Sequence, residues 1–377
     1  MFLYFYKPVK IQKGAEMHIK IFGILLYIAQ GSSMDSLHHF SLKTPTSRPV
    51  LSEKSDAFSA LEMQKGINIV SCHLMGGLGN QLFQIFTTIA YSLRQRRKMI
   101  FPHSEILTTG KHRPTYWDSF LSPLRSYTTI NPGCGKSSDL LYTFPCYKEP
   151  GFLYSDIPAF REEKQIMLNG YFQSYKYFEA EKKTLFSFIR LSKWQDDVRQ
   201  EYPMLFDSTS PVVTVSMHFR RGDYKNLQHC HPLMPYEYYT KALGHIIDNV
   251  ADKSISDTHE VCELKSSYPT GDGRIRTLCF FEEEDQDDVL AFVQQLAVQF
   301  PTVEFKTIDH SICDWKQMLL MSCCDHNIIA NSTFSWWGGY FNQNSKKIVC
   351  YPAIWFGSSI QHSTNDLFPT PWHKIEF

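Results

Sequence analysis

The feature that most constrains the fold is an apolar run that leads through a glycine turn into an amphipathic pattern. The run, GINIVSCHL at residues 66–74, is typical of a strand buried on both faces. After the glycines, apolar side chains recur every three or four residues from Leu82 to Leu93, which predicts a helix. A short second strand, KMIFP at residues 98–102, follows. The segment is therefore predicted to be a β–α–β unit of a parallel sheet.

Strands and helices alternate again further along the chain. A strand beginning at residue 166 precedes a helix at 182–202, and the second half repeats the alternation. In that half, strands are predicted at 211–219, 276–281, 302–308, 326–330 and 346–352, and helices at 235–250, 287–300, 315–325 and 332–342. The pattern predicts an α/β protein with two Rossmann-like domains. The predicted divisions are 1–62, an extension and linker; 63–205, an N-terminal domain; and 206–377, a C-terminal domain.

The charge balance and the apolar residues of the chain limit which classes of partner the protein is expected to bind. The 377 residues include 38 basic and 38 acidic side chains, so no electrostatic footprint for nucleic acid is present. The apolar run at residues 21–29 is about half the length of a membrane span. A weak signal or short anchor and an extension without function are equally compatible with it, so membrane association through this run is open. The compartment is open too: Golgi or membrane-associated if the run anchors the chain, otherwise cytoplasmic.

The ten cysteines form no C-x-x-C pair. Several lie in apolar runs, so buried free thiols are expected for most of them, and one or two disulfides remain open.

The glycine turn itself differs from a dinucleotide fingerprint. G-x-G-x-x-G would need a third glycine where Leu82 stands, and no acidic residue ends the second strand. Amide groups at the start of the helix suit a polyhydroxylated ligand instead. Asn80 and Gln81 place such amide groups there. A tight turn with Asn80 as a helix cap is an equally good explanation.

A second loop, HFRRGDY, follows the predicted strand at 211–219. Arg220 and Arg221 offer planar forks that match diphosphate oxygens, and Asp223 can orient one of them or bind ligand hydroxyls. Ligands of open α/β sheets bind at the carboxyl ends of the strands, where this loop lies. A surface cluster of ion pairs is the simpler alternative. His218 by itself is more typical of a buried core histidine.

A third loop, NSTFSWWGGYFN, starts at residue 331 after another strand. Its hydroxyls and free backbone N–H groups meet at a helix start, which favours phosphate binding. The candidate residues from this pattern are Asn331, Ser332 and Thr333. Aromatic side chains at helical spacing, Trp336, Trp337 and Tyr340, are predicted to belong to the core.

An acidic run at 282–288 contains Asp285 and Asp287, the spacing by which some sugar transferases hold a divalent cation. Because the run lies at a predicted helix start, where acids complement the helix dipole, a structural role is favoured.

Taken together, several motifs resemble the α-1,2-fucosyltransferases of glycosyltransferase family 11. They are GGLGNQLFQ, LNGYFQSYKYF, HFRRGDY, HNIIANSTFSWWG and DLFPTPW, in the family's order over about residues 67–373. The resemblance implies a GT-B-like architecture with two Rossmann-like domains facing a cleft. It also implies GDP-β-L-fucose as the donor, bound by the C-terminal domain, and a galactoside glycan as the acceptor, on the side of the N-terminal domain. Inversion at the sugar and no metal or other cofactor are implied as well.

The resemblance assigns roles by motif. Arg220 and Arg221 are expected to hold the donor diphosphate, with His218 and Asp223 in the same motif. Arg220 and Asp223 are the predicted catalytic residues, and Asp223 and a carboxylate from 282–285 are the two guesses for the base. The glycine turn is similar to a G-x-x-G-N-Q element of protein O-fucosyltransferases that faces the transferred sugar. By this likeness, the residues expected to face substrate are Gly76, Gly79, Asn80 and Gln81. The residues of the late motif expected near the donor are Asn331, Ser332, Thr333 and Ser335. The sequence FFEEED departs from an S-D-D-like segment of many bacterial members, so no family role passes to Glu282–Glu284.

Other functions stay open at this stage. A protein O- or α-1,6-fucosyltransferase would share the arginine loop, and a non-catalytic binder of GDP-sugars would share most of the site. An NAD oxidoreductase is the third alternative, and the absence of the third glycine of the dinucleotide fingerprint counts against it.

Overall fold

The computed structural model describes residues 68–108, 111–130, 137–207, 212–256 and 274–377. The predicted extension at 1–62, with its apolar run, lies outside these residues. No helix within the described ranges is long and apolar enough to cross a membrane. Two parallel sheets dominate the structure, one from each half of the chain.

The first sheet forms around the strand that precedes the glycine turn. Its order is β2-β1-β6-β5, and every neighbouring pair is parallel. The strands are β1 (Ile69–Cys72), β2 (Lys98–Met99), β5 (Cys146–Lys148) and β6 (Gln165–Asn169). A separate antiparallel pair consists of β3 (Ile106–Leu107) and β4 (Arg113–Pro114). β1 is fully buried, as its continuous apolar run predicts.

The second sheet has six parallel strands in the order β12-β11-β10-β7-β8-β9. They are β7 (Val212–His218), β8 (Arg274–Phe280), β9 (Val303–Thr307), β10 (His326–Ile328), β11 (Val349–Pro352) and β12 (His373–Ile375). Numbered within this half, the order is the 3-2-1-4-5-6 of Rossmann folds. Its switch point lies between β7 and β10, which is where a ligand is expected.

The helices agree with the predicted periodicity, except that the short helix at Ser137–Leu141 was not predicted and that two predicted helices differ in continuity or extent. They are α1 (Leu78–Gln95), α2 (Ser137–Leu141), α3 (Lys182–Phe188), α4 (Leu191–Glu201), α5 (Tyr236–Ser256), α6 (Gln286–Gln299), α7 (Asp314–Ser322) and α8 (Thr333–Phe341). The helix predicted at 182–202 is two helices, because Arg190 has a left-handed backbone with φ of 56°. α5 extends to Ser256, so the first residues of the predicted loop at 251–273 are helical, and residues 257–273 lie outside the description.

An aromatic seam joins the two halves. Phe83 and Phe86 of α1 pack against Trp336 and Trp337 of α8, with ring centroids 4.5–5.0 Å apart. Trp336 and Trp337 are fully buried, which confirms their predicted place in the core. Burying one large side chain of this kind contributes roughly 2–3 kcal/mol. One apolar cluster therefore runs through both halves.

The two-sheet arrangement is GT-B-like, as predicted. The strands of the first sheet lie between residues 69 and 169 and those of the second between 212 and 375. The predicted division between residues 205 and 206 stays a prediction, because the described residues belong to one compact unit by their contacts. All eight cysteines within the described ranges are free thiols, mostly buried.

Candidate functional site

A cavity of about 800 Å³ lies where the carboxyl ends of strands from both sheets face each other. The glycine turn after β1, the arginine loop after β7 and the loop between β10 and α8 all contribute to its wall. This size is typical of sites for ligands of nucleotide or drug size. The fold thus brings the three predicted loops together at the switch point of the second sheet.

Arg220 is the cation most firmly fixed in this cavity. It forms ion pairs with Asp223 and with Glu282, and its guanidinium lies 4.9 Å from the ring centroid of Tyr224. Only 17% of the side chain is exposed. A guanidinium has five N–H groups, so these pairs leave donors for a ligand. Arg220 and Asp223 thus lie together at the cavity wall, and their binding and catalytic roles stay predictions.

Arg221 occupies a different environment from the one expected. Its Nε lies 3.4 Å from Oδ2 of Asp288, and its guanidinium lies 5.0 Å from the ring centroid of Phe292. It is not part of the cavity wall. Successive side chains after a strand point in different directions, so the second arginine faces α6 rather than the cavity. The expectation that both arginines hold a diphosphate is corrected for Arg221.

The glycine turn is in close contact with the third predicted loop, which begins at residue 331 and is called the late loop below. A Cβ on Gly79 would lie 2.5 Å from the carbonyl carbon of Thr333, so only glycine fits there. Trp337 Nε1 donates to the Gly79 carbonyl oxygen at 2.8 Å. Gly76 has a φ of +76°, which also favours glycine. Gly76 and Gly79 line the cavity, but the second glycine is required mainly by contact between the halves.

Asn80 lines the cavity and links three segments. Its Oδ1 accepts hydrogen bonds from Thr333 Oγ1 at 2.9 Å and from Gln173 Nε2 at 3.0 Å. It does not cap α1: the N-cap residue is Gly77, with no side-chain cap bond. Asn80 is therefore a bridge at the cavity rim rather than a helix cap.

Gln81 does not face substrate. It is 1% exposed, and its Nε2 donates to the carbonyl oxygens of Gly76 and Pro114. Gln84, which the sequence reasoning missed, exchanges two hydrogen bonds with the backbone of Met75. Both glutamines hold the turn in shape, so the predicted role of Gln81 is corrected to a structural one.

The side chains of the late loop also differ in role: some line the cavity, and others form hydrogen bonds only within the protein. Ser332 and Thr333 line the cavity, and the Ser332 hydroxyl accepts from the Phe334 N–H as the N-cap of α8. Asn331 is buried and donates to the carbonyl oxygens of Pro232 and Trp355. Ser335 is buried against carbonyl oxygens of its own helix. The predicted donor contacts of Asn331 and Ser335 are therefore corrected: both side chains are engaged within the protein.

His218 lies at the cavity wall but is almost completely buried. Burial, and secondarily the nearby charge of Arg220, lowers the pKa of its imidazole to about 3. The ring is thus neutral at pH 7. Its Nδ1 has no hydrogen-bond partner among the described residues. A neutral ring aimed at the cavity can donate or accept a hydrogen bond but carries no charge for a phosphate.

The acidic run at 282–288 stabilises the arginine loop through a hydrogen bond and ion pairs. Asp285 is buried, accepts from the Gly222 N–H and forms an ion pair with Lys225 at 2.7 Å. Lys225 also lies 2.9 Å from Asp288. These contacts give Asp285 the structural role that the sequence favoured. Within the described ranges, no group of three or more His, Cys, Asp or Glu is arranged to hold a metal ion.

Several wall residues were missed by the sequence reasoning. Lys111, Arg113 and Tyr116 come from a part of the first half without clear periodicity. Tyr171 follows β6 within the motif LNGYFQSYKYF, and Asp314 starts α7. Tyr116 donates its hydroxyl proton to Asp314, which joins the two halves across the cavity. The signals in the sequence were that motif and the basic segment GKHRP at 110–114, which has no periodicity to place it.

Comparison with known proteins adds the class of chemistry. Residues 297–376 match the sequence model of Glycosyl transferase family 11. The O-antigen biosynthesis glycosyltransferase WbnK of Escherichia coli is 26% identical over 322 residues, 77% of this chain and 95% of that protein. An alpha-1,2-colitosyltransferase of Escherichia coli is 25% identical over 345 residues, 82% of this chain and all of that protein.

The chain is thus similar to glycosyltransferase family 11 over residues 297–376, and to two curated sugar transferases over most of its length. Among solved structures, an Arabidopsis thaliana FUT1 mutant in complex with GDP covers 83% of the chain at 11% identity, with 77% of that chain matched and a TM-score of 0.39. POFUT1 in complex with GDP-fucose covers 76% of the chain at 12% identity, with 98% of that chain matched and a TM-score of 0.42. The likeness to family 11 rests on the sequence matches, and the Rossmann-like fold on the chain's own sheet topology.

Proposed function

We propose that this family 11-like protein transfers L-fucose from GDP-β-L-fucose to the 2-hydroxyl of a galactoside, with inversion to an α-1,2 linkage. The observation that carries the proposal is the position of Arg220, whose mostly buried side chain lies at the switch point of a Rossmann sheet, in a cavity shared by both halves. The proposal is supported by two relatives, a glycosyltransferase and an alpha-1,2-colitosyltransferase.

The sheet topology supports one orientation of the donor. In Rossmann folds the phosphates lie at the switch point, and an acidic residue after the second strand binds ribose hydroxyls. Here Arg220 and the N-terminus of α8 flank the switch point, and Glu282 and Glu283 follow β8. The diphosphate is therefore proposed to lie against Arg220, with the ribose beside the glutamates.

The proposed reaction is a single displacement. The acceptor hydroxyl oxygen bonds to the anomeric carbon while the bond from that carbon to the β-phosphate oxygen breaks. Its electron pair stays on the departing GDP, and the hydroxyl proton passes to a cavity carboxylate, for which Asp223 is the proposed base. Charge grows on the phosphate as the bond breaks, so Arg220 stabilises the transition state more than the bound substrate.

We further propose that the transfer needs no metal ion. The support is the chemistry of the wall: a guanidinium engages phosphate oxygens in two-pronged fashion and supplies the charge that a metal would. Activity in the presence of EDTA tests this point separately from the identity of the sugar.

The decisive experiment measures GDP release with GDP-fucose and lactose, followed by linkage analysis of the product. Turnover that yields an α-1,2-fucosylated galactose supports the proposal. A donor panel with GDP-colitose and GDP-mannose identifies the sugar, since one relative is a colitosyltransferase. An α-1,6 or protein-linked product would replace the proposed linkage, and GDP-fucose binding without turnover on any galactoside would indicate a binding protein only.

A further inference from the structure

Two guanidinium groups from opposite halves converge on one carboxylate in the cavity. Asp223 Oδ1 is paired with Arg220 Nη2, and Asp223 Oδ2 lies 4.0 Å from Arg113 Nη2. Arg220 follows β7 in the C-terminal half, whereas Arg113 belongs to β4 in the N-terminal half. A carboxylate between two arginines occupies the kind of position that a phosphate group would also take, because both anions accept from planar guanidinium forks.

The charges of the wall are distributed unevenly between the halves. Among the described residues that line the cavity, the N-terminal half supplies two cations, Lys111 and Arg113, and no carboxylate. The C-terminal half supplies one arginine and four carboxylates, which are Asp223, Glu282, Glu283 and Asp314. A diphosphate bound on the C-terminal half alone would meet more negative than positive charge.

Among the described wall residues, the C-terminal half supplies one lysine or arginine, and this arginine already forms ion pairs within the protein. Arg220 pairs with both Asp223 and Glu282, so it offsets only part of the charge of an entering diphosphate. Since like charges in a partly buried cavity repel strongly, a second cation must approach the phosphate. The geometry favours Arg113, because its guanidinium lies 4.0 Å from the carboxylate that Arg220 also binds, and its side chain is 33% exposed, which leaves it room to turn toward a ligand.

We propose that Arg113 binds the β-phosphate of the nucleotide donor from the opposite wall and stabilises the departing GDP together with Arg220. The inference rests on the proposed function, since it assumes that the cavity holds a nucleoside diphosphate sugar. The β-phosphate is specified because it carries the transferred sugar and so lies toward the N-terminal half, where the acceptor approaches. Arg113 would then be a catalytic residue that the arginine motif does not contain.

The test compares nucleotide affinities by calorimetry. Wild type, Arg113→Gln and Arg113→Lys are titrated with GDP and with GMP, which lacks the β-phosphate. Loss of one charge-assisted arginine–phosphate contact is expected to weaken GDP binding about 10–100-fold. GMP binding should change less than about threefold, and Arg113→Lys should bind GDP with intermediate affinity.

Arg125→Gln is the matched control. Arg125 lies in the same half, is half exposed and pairs with Asp118 at 2.9 Å, away from the cavity wall. It should leave both affinities unchanged. Urea unfolding of every variant checks that the fold is intact, and if Arg113→Gln unfolds, Arg113→Lys alone decides through its ratio of GDP to GMP affinity.

The outcomes separate the inference from the proposed function. If wild type binds no GDP, the proposed function fails before any variant is compared. If wild type binds GDP but Arg113→Gln binds it equally well, the inference is overturned while the function stands. Unchanged GDP affinity with a raised KM for the galactoside would also overturn it, because Arg113 would then contact the acceptor.

Discussion

The aromatic seam and the charged cavity lie side by side, and the glycine turn and the late loop contribute to both in different ways. At the seam, Gly79, Thr333 and Trp337 meet in close contact with no room for a ligand between them. Beside the seam, Arg113, Asp223 and Arg220 line the polar cavity. The comparison teaches that a motif can be shared between two tasks, so that neighbouring residues in one loop differ in role.

This division explains which predicted site residues face the cavity. Gln81, Asn331 and Ser335 hold the loops in shape, whereas Asn80, Ser332 and Thr333 reach the cavity wall. A seam that fixes the two halves also fixes the distance between their charges. Such a rigid support is what positioned catalytic groups require.

The largest expected effect tests the seam. Gly79→Ala would place a Cβ 2.5 Å from the carbonyl carbon of Thr333, so the two halves must separate locally. We expect a loss of about 2–4 kcal/mol in the free energy of unfolding, measured by urea denaturation. Gly77→Ala is the control, because a Cβ there meets nothing within 4 Å. Equal stability of the two variants would show that the contact is not tight in solution.

The next prediction separates the two adjacent arginines. Arg220→Ala should weaken GDP binding and lower turnover by about 100-fold, the cost of roughly 3 kcal/mol for a charge-assisted contact. Arg221→Ala should leave GDP affinity within about threefold and instead lower stability, since it packs on Phe292. Calorimetry with GDP and urea unfolding measure the two effects. Full activity of Arg220→Ala would remove it from the site.

The pH dependence of stability tests the partly buried carboxyl group of Glu149, which directly follows β5. Glu149 accepts from the Phe172 N–H at 2.9 Å, and burial raises the pKa of its carboxyl from 4.5 to about 7. The folded state therefore holds the proton more tightly than the unfolded state. This contribution is complete below about pH 4.5 and is lost as the pH rises through 7, by on the order of 1–3 kcal/mol.

The variant for this test is Glu149→Gln, which stays neutral at every pH. Its urea midpoint should fall less between pH 5 and pH 8 than that of wild type, whereas exposed Glu162→Gln should behave as wild type does. A wild-type midpoint that does not decrease over this range would contradict the raised pKa.

The smallest expected effect concerns the bridge at the rim. Thr333→Val keeps the shape of the side chain but removes the hydrogen bond to Asn80 Oδ1. Because Gln173 still donates to that oxygen, the cost should be about 0.5–1.5 kcal/mol in unfolding free energy. Thr307→Val, at an exposed strand position, serves as the comparison. A larger loss than that of Gly79→Ala would place the strength of the seam in this bond rather than in packing.

Much of the fold could be predicted because periodicity is a local signal. The buried run at β1, the helix face of α1 and the alternation through the second half all agree with the structure. Short or irregular elements could not be predicted: β5 and β12 have three residues each, and the break at Arg190 has no proline or glycine to mark it. The predictions on membrane association and on the compartment concern the extension at 1–62, which lies outside the described residues.

The sequence by itself determined the type of fold, the three loops and the chemistry of their side chains, because strand and helix periods and motif residues are properties of neighbouring positions. Only the tertiary structure decided which side chains face the cavity. Arg220 and Arg221 are adjacent in the chain, yet one points to the cavity and the other to α6. Arg113 reaches Asp223 from a segment without a motif, since proximity across two halves is set by packing and not by sequence spacing.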